Sequence, residues 1–92
     1  MEQTSPLFTT EDIHLYPNPA QHTITLEWER PHEEPVTLIL HNEIGQAIES
    51  RVLKPGTLQE VWDVSGLSNG LYLIEVRGGT DLPQLLRFVK SR

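Results

Sequence analysis

Thr23-Ile24-Thr25-Leu26-Glu27-Trp28 alternates polar and apolar side chains without a break. Successive side chains of an extended strand point to opposite faces, so the alternation places Ile24, Leu26 and Trp28 together on one face. That face reads as core. Just upstream, Ile13 to Tyr16 is a second short run. It is ended by Pro17-Asn18-Pro19, where two prolines fix φ and remove backbone donors, so that pairing must stop.

Downstream the same pattern recurs at intervals of about ten residues, with no competing helical period. Val36 to His41 places Val36, Leu38 and Leu40 on one face and Ile39 on the other, and Asn42-Glu43-Ile44-Gly45 then turns the chain. Gln46 to Val52 is a weaker run, interrupted by Glu49, Ser50 and Arg51, and reads as a strand near a sheet edge. Lys54-Pro55-Gly56-Thr57 fits a type II turn. Leu58 to Val64 follows, with Leu58, Trp62 and Val64 sharing a parity that Glu60 interrupts. Leu71 to Arg77 carries Tyr72, Ile74 and Val76 on one face. Gly78-Gly79-Thr80-Asp81 permits a tight reversal into Gln84 to Lys90. These runs predict an all-β, antiparallel β-sandwich of about seven strands.

A chain of 92 residues holds one core. Residues 13–92 are expected to form that domain, and residues 1–12, rich in Thr, Ser and acidic side chains, to be a linker or a cloning-derived end. Thirteen carboxylates against seven basic residues leave a formal charge of −6, which repels nucleic-acid backbones and anionic membrane surfaces. The chain has no cysteine, hence neither disulfides nor thiolate metal sites. No apolar run reaches the length of a membrane span, and the start lacks the basic and apolar regions of a signal peptide. If the domain is extracellular, its signal peptide lies on a preceding polypeptide, and the sequence reads as a C-terminal fragment of a longer chain.

Candidate chemistry is sparse. His14, His22, His32 and His41 are scattered, without the spacing of a metal site, and read as solvated or loop side chains; His32-Glu33-Glu34 reads as a charged loop tip. The serines lie in turns, with no nucleophile elbow or facing carboxylate pair, so no catalytic residue, metal or cofactor is assigned. Trp28, Trp62, Tyr72 and Phe88 fall mostly on the core parity, which favours filling over a sugar-stacking platform.

The most specific local signal is Leu67-Ser68-Asn69-Gly70-Leu71-Tyr72. It resembles the tyrosine corner of immunoglobulin-like sandwiches, in which the phenol bonds back to nearby backbone. In order along the chain stand Tyr16-Pro17-Asn18-Pro19, the alternating Ile24, Leu26 and Trp28, Gly45, Gly56, Trp62-Asp63-Val64-Ser65-Gly66-Leu67, Asn69-Gly70-Leu71-Tyr72, and a closing Phe88-Val89-Lys90. This series, from Ile13 to Arg92, resembles the type A C-terminal sorting domain of the type IX secretion system. Three positions depart from the family: Asn42 and Gln46 flank the hairpin where an aspartate and a basic residue are usual, and Arg87 stands where a lysine is common.

The resemblance implies an immunoglobulin-like sandwich at the end of an exported cargo. It implies passage through the periplasm, recognition by the outer-membrane type IX translocon, and delivery to the medium or cell surface. It also implies removal by a C-terminal signal peptidase, or sortase, that often joins the cargo to surface lipopolysaccharide, with cleavage expected within Ser5 to Asp12. A signal carried by a folded module is read as a surface. The expected readout is the exposed edge of the last strand with Arg87, Lys90 and Arg92, or the opening Tyr16, Pro17, Asn18 and Pro19. Gly45, Gly56 and Gly70 are expected to serve as scaffold, demanded by backbone conformation, and Tyr72 to pin the crossover. The alternative is an accessory adhesion or carbohydrate-binding module of an extracellular protein, which would share the fold and differ in its surface.

Overall fold

A computed structural model describes residues 13–78 and 83–92. The linker over 1–12, with its expected cleavage stretch, and the turn residues 79–82 lie outside the described residues. Among the described residues there are seven strands and no helix: β1 (Ile13–Tyr16), β2 (Thr23–Trp28), β3 (Val36–Asn42), β4 (Ala47–Leu53), β5 (Gln59–Asp63), β6 (Gly70–Gly78) and β7 (Gln84–Lys90). They form a three-stranded sheet, β1-β2-β5, and a four-stranded sheet, β4-β3-β6-β7, antiparallel at every pairing of named strands. The fold is the expected all-β sandwich.

The alternation in each run decides which face is buried. Ile24, Leu26 and Trp28 of β2 meet Leu38, Leu40, Ile74 and Phe88 of the opposite sheet in a single core, with Trp62 and Val64 completing it. Each fully buried side chain of this size contributes roughly 1.5–3 kcal/mol relative to exposure. Trp62 is fully buried, as its parity required. Leu58, expected on the same face, is 47% exposed: it lies just before β5, outside the strand whose pairing fixes which face is buried.

The interrupting charges close the side of the sandwich between β4 and β5. Arg51 lies over the Trp62 ring, 4.2 Å from its centroid, and donates to Glu60 Oε2 (2.8 Å), to Val61 O (3.2 Å) and, through Nε, to Glu49 Oε2 (3.2 Å). The indole N–H of Trp62 donates to Glu49 Oε1 (3.1 Å). Edge strand β4 thus turns its charges inward over an aromatic ring, a cation–π arrangement that also occupies an edge carbonyl of β5.

Two turns set the registers. Gly45 N–H donates to Asn42 O (2.9 Å) and Asn42 N–H to Gln46 O (3.0 Å), a three-residue hairpin loop that needs the left-handed φ of +87° at Gly45. Asn42 Oδ1 accepts from Ile44 N–H and Gln46 N–H, and its Nδ2 donates to Gln46 Oε1 (2.9 Å). The two hairpin positions that depart from the resembled pattern, Asn42 and Gln46, therefore satisfy each other as an uncharged amide pair. The Lys54–Thr57 turn is closed by Thr57 N–H on Lys54 O (3.2 Å), with Gly56 at φ +85° as type II requires.

Candidate functional site

The corner between β5 and β6 carries the chain from one sheet to the other. Asp63 Oδ1 accepts from Ser65 N–H (2.9 Å) and Ser65 Oγ (2.7 Å), and these bonds hold its carboxyl below the ordinary value of 3.8. The Tyr72 hydroxyl donates to Ser68 O at 2.6 Å, and its ring stacks on Phe88 at 5.6 Å. This is the tyrosine corner, at the crossover where immunoglobulin-like sandwiches place it. Gly70 opens β6 at φ +152°, a conformation that side chains on L-residues rarely adopt.

The opening of the domain meets its closing strand. Tyr16-Pro17 and Asn18-Pro19 are both cis. Asn18 reaches across to β7: Val89 N–H donates to Asn18 Oδ1 (2.9 Å), and Asn18 Nδ2 approaches Arg87 O (3.4 Å). The carboxamide offers one acceptor and one donor, as a peptide group does, and so takes the place of a neighbouring strand. The backbone then continues the pairing. Ala20 N–H donates to Val89 O (2.8 Å), Ser91 N–H donates to Ala20 O (2.9 Å), and Ala20 and Lys90 form a parallel bridge.

Two sequence expectations are corrected here. The last strand was expected to offer an unpaired edge, but residues 18–20 occupy its outer backbone groups from Arg87 O to Ser91 N, as natural edge strands commonly are protected. Lys90 was expected to display its charge, yet it is only 5% exposed. Its parity is the reason. Leu86, Phe88 and Lys90 point to the core side of β7, and Lys90 lies against the Ala20 bridge at the end of the sandwich, where a long stem can be covered. Arg87 and Arg92 remain exposed.

The registers bring several motif residues to one end of the four-stranded sheet. Asn42, Tyr72 and Phe88 form one row; Gly70, Lys90 and Ala20 form the next; a Cβ on Gly70 would stand 3.7 Å from Glu43 of the Gly45 hairpin. Tyr16 is not drawn in: its hydroxyl donates to Glu27 Oε1 (3.1 Å) on the outer face of the three-stranded sheet. Pro17 and Pro19 are exposed and line a shallow groove with Gln21, His22, Thr23 and Ser91.

The family model described as secretion system C-terminal sorting domain matches residues 14–89. The chain belongs to that family. No curated protein compared with it matches. The sorting domain is a C-terminal signal for type IX secretion, which implies a cargo fused upstream and a secreted or cell-surface destination for it. Among its described residues no group of three or more His, Asp or Glu side chains converges as a metal site would require, and no helix is long and apolar enough to cross a membrane. Trp28, Trp62, Tyr72 and Phe88 are all buried in its core, as their parity predicted.

Sequence reasoning did not find the role of Asn18 as a strand substitute. Its local cue was an amide side chain held between two prolines.

Proposed function

We propose that the type IX translocon reads this domain as a folded address whose recognition surface is built jointly by the Pro17-Asn18-Pro19 opening and the outer side of β7. The observation that carries the reading is the Asn18 bridge to Arg87 and Val89. Two segments from opposite ends of the domain are held as one rigid unit, on a sandwich pinned by the tyrosine corner. Gly45, Gly70 and Tyr72 act as scaffold beneath that surface, and Lys90 contributes packing. Arg87, Pro17 and Pro19 supply exposed groups.

The cargo precedes the domain and reaches the periplasm by a Sec signal of its own. Cleavage by a C-terminal signal peptidase falls within Ser5 to Asp12, and the cargo is then released or joined to surface lipopolysaccharide. The burial of Trp28, Trp62, Tyr72 and Phe88 argues against these rings forming a carbohydrate-binding platform, because stacking on a sugar needs exposed ring faces.

Fusion of residues 1–92 behind a Sec-directed reporter, in a host with this secretion system, tests the reading. The expected result is extracellular or surface reporter with a new C-terminus, mapped by mass spectrometry, within Ser5 to Asp12. Export of the fusion with the domain still attached would overturn the cleavage step. Retention in the periplasm, in a host exporting its own cargo, would overturn the sorting role and return the accessory-module reading.

A further inference from the structure

The outer face of the β6–β7 pair is apolar around one cation. Leu71 is paired with Val89 and Leu73 with Arg87, while Leu85 lies opposite Glu75. Leu71, Leu85 and Val89 are 36%, 59% and 41% exposed, and they share this face with the half-buried Leu73, which pairs with Arg87 and lies between them. Scattered exposed leucines need no explanation, but a contiguous patch on one sheet face marks an interaction surface.

Arg87 stands in the middle of this patch with its guanidinium exposed and without a side-chain partner among the described residues. The carboxylate on the neighbouring strand does not serve it. Glu75 accepts from Arg77 Nε (2.5 Å) and lies 3.0 Å from His41 Nε2, and the Arg77 bond, aided by His41, holds its carboxyl below the ordinary range despite partial burial. A guanidinium with no side-chain partner among the described residues, framed by aliphatic side chains, is suited to a carboxylate delivered on an apolar surface. There the planar fork can take both oxygens, and exclusion of water strengthens the bond.

We propose that this face is the docking site for a protein of the secretion machinery that presents an apolar strip carrying an Asp or Glu to Arg87. The inference rests on the sorting function and names the chemistry of the partner. Charge complementarity selects the occupant. On a domain of net charge −6, a long-range field would repel an acidic partner, so Arg87 acts at contact distance, fixing register against the Leu71, Leu85 and Val89 patch. The Asn18 bridge is continuous with the site, since it holds the backbone of Arg87 and Val89 from the other edge of the strand.

The experiment compares export of a Sec-directed reporter fused to residues 1–92 with the same fusion carrying Arg87→Glu, Arg87→Gln, Arg87→Lys, Leu85→Ser or, as control, Lys54→Glu in the exposed turn far along the sheet. Melts of each purified domain run alongside. The expected result is a loss of export of about tenfold or more for Arg87→Glu, Arg87→Gln and Leu85→Ser. Arg87→Lys should keep part of the function and Lys54→Glu all of it, with melting temperatures close to the parent. Parent-level export of Arg87→Gln, or an equal loss for Lys54→Glu, would overturn the docking site while leaving the sorting role intact. Loss explained by lowered melting in all the Arg87 and Leu85 variants would also overturn it. Failure of the parent fusion itself would instead remove the sorting role on which the inference rests.

Discussion

Replacing Asn18 with alanine removes both bonds by which the opening of the domain holds its last strand. The Val89 N–H bond, at 2.9 Å, is a full hydrogen bond, and the contact with Arg87 O, at 3.4 Å, is a weak one. A hydrogen bond contributes a net 0.5–1.5 kcal/mol, and Asn18 is exposed, so water can satisfy the freed groups. The expected loss is therefore about 1 kcal/mol, which for a domain of this size lowers the melting temperature by about 4–8 °C. Hydrogen exchange localises the effect: the Val89 amide should lose protection, by about fivefold. The Ser91 amide should keep more of its own, because its acceptor is the Ala20 carbonyl. Asn18→Asp preserves the acceptor for Val89 and turns a carboxylate oxygen toward the Arg87 carbonyl, so it should fall no higher than the parent in stability. An Asn18→Ala variant with parent-like melting and a fully protected Val89 amide would refute the reasoning that the side chain acts as a strand.

Tyr72→Phe deletes the corner bond and leaves Ser68 O without it, which should cost about 1–1.5 kcal/mol in chemical denaturation with no change of fold. Gly70→Val has room for its Cβ but must hold φ near +152°, so it should lose about 1–3 kcal/mol, read by the same denaturation experiment. Glu75 supplies a pH dependence. Its carboxyl takes up a proton near the ordinary value of 4.5 when unfolded and at lower pH when folded. Acidification therefore favours the unfolded chain: the contribution is full above about pH 4.5 and is lost as pH falls through the folded value. Glu75→Gln should flatten the melting temperature profile in that acid interval.

The strands were legible because each alternating run has one face that can be buried, and a slip of one residue would expose Ile24, Leu26 and Trp28 together. The tyrosine corner was legible because its donor and acceptor lie four positions apart. The union of the opening with the last strand was not, since Asn18 and Val89 stand 71 positions apart and no local pattern encodes their meeting. Lys90 was misread for a related reason. A lysine near a strand end normally points to water, whereas Lys90 has the core parity of β7 and stands at the Ala20 bridge, a pairing no local pattern encodes. Glu49 and Arg51 looked like a break in an edge strand, whereas across the sandwich they pack on Trp62.

The central claim is that the folded sandwich, with its last strand seated against the opening segment, is itself an address. The direct measurement is the fraction of a Sec-directed passenger found outside the cell when it carries residues 13–92 and when it does not, in a host whose type IX system is active. The account predicts that the passenger moves to the surface or medium only with the domain attached, and remains in the periplasm without it. Equal distribution of the two passengers would contradict it.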